Sequence, residues 1–177
     1  AGKYLENRGP DSSSQIVLSN NILIFYRLSI NDVSSIGNQP MISGKVAMMC
    51  NGEIYNYKEL IEEFNLKCNS KSDCEVILRL YEKIGFEETV KRLYGVFAIV
   101  LVDGDDVYLA RDRIGVRPLY FGITEDGYLS VASVPNCLLE FCKNVTAFPP
   151  GLTAYHNKND GNVLRYLDIS KIQLSPN

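Results

Sequence analysis

Histidine is almost missing from this chain. His156 is the only one among 177 residues, which nearly excludes a histidine-based catalytic triad or a histidine-rich metal centre. It sits in Ala154-Tyr155-His156, at the end of an expected strand, and reads as structural. The cysteines (Cys50, Cys68, Cys74, Cys137 and Cys142) are odd in number and form no C-x-x-C pair. A disulfide framework or a zinc site is therefore not expected, and a reducing, cytoplasmic setting is. No apolar run approaches the ~20 residues of a membrane-spanning helix, and no secretory leader is visible. There is no G-x-G-x-x-G and no P-loop, so no nucleotide site and no cofactor or metal is expected within the chain. A net charge of -3 argues against nucleic acid or an anionic membrane as partner.

What remains is ordinary for one globular domain: 46% hydrophobic and 22% charged residues, enough for a core. The chain opens on Ala1 rather than Met and reads as processed, trimmed or an excerpt. Gln15 to Leu18 and Ile22 to Leu28 are β-rich and separated by Ser19-Asn20-Asn21, a hairpin signal. Asn31 to Ser43 reads as loop. Val46 to Cys50 is a buried strand, Lys58 to Phe64 a short helix, and Phe64 to Cys68 a short edge strand. Ser72-Asp73-Cys74-Glu75 has the S-x-x-E spacing of a capping box. The helix expected after it carries Val76, Ile77, Leu80, Tyr81 and Ile84 on one face. Three Asp-Gly pairs, at 103, 126 and 160, each lie between apolar or aromatic runs and signal three hairpins in series. Pro135 to Phe141 reads as a short helix between the second and third. Strands in hairpins and helices in a block give an α+β class with antiparallel sheets.

Four places concentrate chemistry. Arg27 closes an otherwise apolar strand and needs an anionic partner, from the protein or a ligand. Asn51-Gly52, with Glu53, lies between a strand and a helix. It reads either as an ordinary Asn-Gly turn or as a corner whose amide and backbone N–H groups form an oxyanion hole. Asp73 stands at a helix start, where it would favour the dipole or meet a ligand ammonium. Arg111-Asp112-Arg113 reads as a structural ion-pair turn. A cation, an anion and an amide corner together suit an amino acid, with its α-carboxylate on Arg27 and its α-ammonium on Asp73.

Eight motifs then follow in order: RGPD (8–11), RLSINDV (27–33), GNQPM (37–41), NGEIYN (51–56), SDCEVIL (72–78), YGVFAIVLVD (94–103), ARDRIGVRPLYFG (110–122) and FPPG (148–151). Together they resemble the glutaminase domain of asparagine synthetase, a class II glutamine amidotransferase of the N-terminal-nucleophile hydrolase type. The resemblance implies two stacked antiparallel sheets flanked by helices, a four-layer αββα arrangement. It implies hydrolysis of L-glutamine to glutamate and ammonia, by a cysteine at the mature N-terminus whose own α-amino group is the base.

Residue by residue, the resemblance carries glutamine binding onto Arg27, Leu28, Ser29, Ile30, Asn31, Glu53 and Asp73, and the oxyanion role onto Asn51 and Gly52. It places the amidotransferase domain at 1–167 and, at 168–177, the start of a linker to a synthetase domain. That domain would use ATP, magnesium and aspartate, and a homodimer is compatible with the match. Two positions depart from the family pattern: Asn7 stands for a histidine before RGPD, and Val134 for a glutamate after Ala132-Ser133. No cysteine precedes Cys50, so the chain as given lacks the nucleophile and is expected to be inactive alone. The competing reading is a catalytically inactive relative that binds glutamine or only scaffolds a synthetase.

Overall fold

Two strands buried on both faces organise the molecule. β4 (Val46–Ile54) and β5 (Gly95–Asp103) pair antiparallel over nine residues, from Val46 opposite Asp103 to Ile54 opposite Gly95. Both read as near-continuous apolar runs because each faces packed protein on two sides. The computed structural model describes residues 4–28, 35–160 and 165–168. Within them, β4 and β5 are adjacent interior strands of a six-stranded sheet in the order β11-β10-β6-β5-β4-β3. Its other members are β3 (Met41–Ser43), β6 (Asp106–Arg111), β10 (Leu152–Asn157) and β11 (Arg165–Asp168).

The two faces of this sheet are separated by the period of two along each strand. Met48 and Cys50 of β4, with Ile99 and Leu101 of β5, pack under the helices α1 (Tyr57–Glu63), α2 (Glu75–Ile84) and α3 (Phe86–Arg92). Ala47 of β4, with Ala98 and Val102 of β5, meets the smaller sheets instead. One is the hairpin β1 (Ser12–Leu18) with β2 (Asn21–Arg27). The other is a three-stranded sheet of β7 (Tyr120–Thr124), β8 (Leu129–Ala132) and β9 (Cys142–Ala147), ordered β8-β7-β9. The α+β class and the stacked antiparallel sheets agree with the expectation from sequence. Among the described residues the three α-helices cover one side of the stack, and none is long and apolar enough to cross a membrane.

The hairpins signalled by Asp103-Gly104, Asp126-Gly127 and Asp160-Gly161 are β5–β6, β7–β8 and β10–β11. Four local expectations change. Met41–Ser43, the end of the stretch read as loop, forms β3. Phe64 to Cys68 forms no strand. Pro135 to Phe141 holds only a 3-10 turn at Pro135–Cys137. α2 begins at Glu75 without a side-chain cap from Ser72. Instead Glu75 turns back and accepts from the Asn69 N–H at 2.9 Å and from the N–H and hydroxyl of Ser70, both at 2.7 Å, while Arg79 donates to it at 2.9 Å. The glutamate therefore staples the preceding loop rather than completing a capping box. His156 is buried in β10 opposite Val107, as a structural residue should be.

The turn after β6 is also held by charge on backbone. Asp112 is only 2% exposed. It accepts from the N–H groups of Phe97, Ile114, Gly115, Val116 and Arg117. Arg111 donates to three carbonyls, those of Gly115, Arg117 and Phe148. The expected ion-pair turn is thus structural but built differently: each charge satisfies peptide groups.

Two stability predictions follow from these clamps. Asp112→Ala leaves several buried donors unpaired and should cost at least about 3 kcal/mol in urea unfolding. For Glu75, burial pushes the carboxyl up, but the Asn69 and Ser70 donors and Arg79 outweigh it and hold the group below the usual glutamate range. A depressed folded value means a stabilisation that is complete above the unfolded value of about 4.3 and lost as pH falls through the folded one. Glu75→Gln should therefore cost about 1–3 kcal/mol at neutral pH, and the gap to wild type should close when unfolding is repeated in increasingly acidic buffer.

Candidate active site

Arg27 is the last residue of β2 and is 8% exposed. The RGPD segment fixes this strand end from outside. Pro10 bridges to Arg27, and the Asp11 N–H donates to the Arg27 carbonyl at 3.0 Å. Gly9 lies so close that a Cβ would stand 2.2 Å from the Tyr26 carbonyl, so no side chain fits there. The Arg27 guanidinium turns inward and donates through Nη1 to Asn38 Oδ1.

Asn51 and Gly52 are not in a turn. β4 runs through them to Ile54, with Asn51 opposite Ala98 and Gly52 opposite Phe97. The corner expected from sequence comes later, at Tyr55 and Asn56, before α1. The donors are exposed for another reason. Along an antiparallel ladder, successive residues point their N–H to alternate neighbours. The Cys50 N–H points away from β5 and donates to Gln39 Oε1 at 2.6 Å, and the Ile54 N–H donates to Asp73 Oδ2 at 2.7 Å. Phe97, opposite Gly52, gives its carbonyl to the Asp112 N–H and its N–H to the Asp112 carboxylate. The Gly52 N–H therefore points to the same edge as those of Cys50 and Ile54, where β3, paired only from Met48 back to Val46, no longer reaches.

Asp73 lies just before α2 and is 5% exposed. Its bond to Ile54 draws it to the far end of the same β4 edge rather than leaving it to the helix dipole. Cys74 follows it, and its thiol approaches the Gly52 carbonyl at 3.9 Å. The neighbouring Cys50 thiol first, and burial second, hold the Cys74 thiol well above its usual range, which suppresses the nucleophilic thiolate. Glu53 meets Arg117 at 3.5 Å.

These pieces line one cleft of about 360 Å³. Of the residues singled out from sequence, Arg27, Leu28, Asn51, Gly52, Glu53 and Asp73 lie on its wall. Ser29, Ile30 and Asn31 fall outside the described residues. Sequence reasoning missed Gln39, Arg117 and Ser133, which line it too. Gln39 was visible only as part of GNQPM, and Arg117 only as part of ARDRIGVRPLYFG. Val134 follows Ser133, half-buried, and Asn7 is exposed. Asn51 also borders a second, more apolar cavity of about 430 Å³ between the large sheet and the smaller ones. The cleft thus gathers a guanidinium, a carboxylate, an amide side chain and an outward N–H, which is a donor and acceptor set for a zwitterion with one reactive carbonyl.

The family model for the glutamine amidotransferase domain matches residues 1–167. The chain belongs to that family. It is 45% identical over 137 residues to a probable glutamine-hydrolysing asparagine synthetase of Acanthamoeba polyphaga mimivirus, covering 73% of this chain and 25% of that protein. It is 39% identical over 170 residues to asparagine synthetase B of Escherichia coli K12, covering 93% of this chain and 30% of that one. The chain therefore spans between a quarter and a third of these relatives' length. Among solved structures, glutamine phosphoribosylpyrophosphate amidotransferase from B. subtilis superimposes with a TM-score of 0.61 at 24% identity, over 75% of this chain and 32% of that one. At that identity the likeness speaks for the fold alone.

Within this family member the glycine of the NGE stretch is tightly constrained. A Cβ on Gly52 would stand 2.2 Å from the Val96 carbonyl oxygen and 2.7 Å from Phe97 Cα. Both obstacles are backbone, so Gly52→Ala must push β4 and β5 apart. It should lower stability by about 1–3 kcal/mol in chemical denaturation, an effect that thermal melting of the isolated chain would register as well.

Proposed function

We propose that this chain is the glutaminase part of a glutamine-dependent asparagine synthetase. Glutamine lies in the cleft with its α-carboxylate on Arg27 and its α-ammonium on Asp73. A carboxylate oxygen already accepting one N–H still has lone-pair capacity for an ammonium. The side-chain carbonyl then faces Asn51 and the Gly52 N–H, which stabilise the oxyanion as a thiolate attacks. Glu53, steadied by Arg117, limits the substrate's far end. Ammonia released by collapse of the intermediate passes to a synthetase domain that uses ATP and aspartate. The odd cysteine count without a C-x-x-C pair supports the cytoplasm as the setting. The observation that carries this reading is the outward Gly52 N–H beside Asn51, in a cleft that also holds Arg27 and Asp73.

The attacking thiol is none of the five in this chain. Cys50 and Cys74 face each other, with Cys74 held protonated. Cys68, Cys137 and Cys142 do not line the cleft. We infer that the chain as given binds glutamine without hydrolysing it. A domain that only scaffolds a partner would leave this lined cleft without a role.

Calorimetry with L-glutamine on the chain is the direct test: heat of binding is expected, and its absence at millimolar ligand would falsify the glutaminase reading. Replacing Arg27 by Met removes a charge-assisted pair and should weaken glutamine by about 1.5–3 kcal/mol. In the full-length enzyme Asn51→Ala should behave differently. Loss of one oxyanion donor costs about 3–4 kcal/mol in the transition state, so kcat should collapse while the affinity for glutamine changes little.

A further inference from the structure

The Gly52 donor is available only because something keeps the edge of β4 from being paired, and that something is a side chain. β3 meets β4 at Ser43 opposite Val46 and Met41 opposite Met48. These are the positions whose N–H groups point to β3, and the next in the same register sets Gln39 opposite Cys50. There the peptide group of residue 39 does not continue the ladder. The carboxamide of Gln39 does: Oε1 accepts from the Cys50 N–H at 2.6 Å, and Nε2 donates to the Cys50 carbonyl at 3.0 Å. Gln39 is 7% exposed, so both bonds are shielded from water. A carboxamide carries the donor and acceptor of a peptide bond, and here it stands in for a β3 residue.

The substitution has a consequence one step on. Had the β3 backbone continued, its next pairing position would face Gly52. Because a side chain ends the ladder at Cys50, no strand among the described residues pairs with Gly52 on this edge, and the next edge position, Ile54, is taken by Asp73. Gln39 and Asp73 thus clamp the positions on either side of Gly52. The Gln39 carbonyl accepts from the Ser14 hydroxyl, and the adjacent Asn38 accepts from Arg27. One short loop, Gly37 to Gln39, therefore touches both the guanidinium and the oxyanion strand.

We propose that Gln39 is a positioning residue for the Gly52 N–H: it ends the β3–β4 ladder with its side chain and sets the direction of that donor into the cleft, for the reaction proposed above. Gln39 reaches neither reacting atom. Its contribution is to preorganisation, where a misplacement of the order of 1 Å costs about 100-fold in rate.

The test compares wild type with Gln39→Leu, which keeps the bulk and removes both bonds. In amide-exchange NMR of the chain, the Cys50 N–H should lose its protection and the Gly52 amide signal should shift. The affinity for L-glutamine should stay within about twofold, since Arg27 and Asp73 remain. In the full-length enzyme kcat should fall about 100-fold with KM nearly unchanged. Retained Cys50 protection with an unmoved Gly52 signal would overturn the proposal, and so would a loss of glutamine affinity as large as the loss in kcat. If Gln39→Leu does not fold, Gln39→Glu serves. It keeps the acceptor for the Cys50 N–H at the same length and loses the donor to the Cys50 carbonyl, so its kcat should fall below wild type with KM nearly unchanged, and a wild-type kcat would overturn the proposal. A wild-type enzyme that leaves glutamine intact would sink the glutaminase function but not this placement, which the two amide signals decide by themselves.

Discussion

Beyond Met48, strand β4 keeps one neighbour and loses the other, and the site depends on how that open edge is managed. Unpaired strand edges are normally covered or blunted, because bare N–H and C=O groups in a buried setting are costly. Here the edge is covered selectively. Cys50 is satisfied by Gln39 and Ile54 by Asp73, both through short hydrogen bonds shielded from solvent. Gly52, between them, is left facing the cleft. A donor held by the β4–β5 ladder on one side and by the Gln39 and Asp73 bonds along its own edge has little freedom to reorient, and such rigidity is what electrostatic stabilisation of an oxyanion requires.

A related device holds two other buried charges. Asp112 and Glu75 are nearly inaccessible, and their strongest partners are backbone N–H groups. Arg111 is spent entirely on carbonyls. A buried charge with peptide partners avoids the desolvation penalty that would fall on an isolated ion. It also fixes the path of the main chain. The Asp112 turn brings Arg117 to Glu53 at the mouth of the cleft. The Glu75 staple holds the loop before α2, and so Asp73, in place. Two segments distant in sequence, the turn carrying Arg117 and the loop carrying Asp73, reach the cleft because each is pinned by such a charge.

How much of this was legible in the sequence depends on the kind of signal. Hairpins were, because Asp-Gly supplies a turn geometry that few other pairs match. So was the α+β class, from the order of β-rich and helical segments. The motif series led to Arg27, Asn51, Gly52 and Asp73, and all four line one cleft. Local rules misled where tertiary pairing overrode them. Asn51-Gly52 has the composition of a turn, yet β5 pairs with it residue for residue. Ser72 and Glu75 have capping-box spacing, yet Glu75 finds better donors in Asn69 and Ser70. Gln39 was invisible because its role rests on register: only once Met41 is known to face Met48 does residue 39 fall opposite Cys50.

The position of Cys74 sharpens what kind of chemistry this cleft is built for. A second thiol within a thiol-dependent site is a hazard, since it could compete for the electrophile or form a disulfide. Both hazards require thiolate. Cys74 is kept protonated by the Cys50 thiol beside it and by burial, and its sulfur approaches at 3.9 Å the Gly52 carbonyl, which points to the same strand edge as the Gly52 N–H. With its thiolate suppressed, it packs against β4 beside the Gly52 edge as an inert group. Removing that packing would leave a void against the Gly52 carbonyl. Cys74 belongs with Gln39 and Asp73 among the groups that hold Gly52 still, which is a role in geometry and not in bond making.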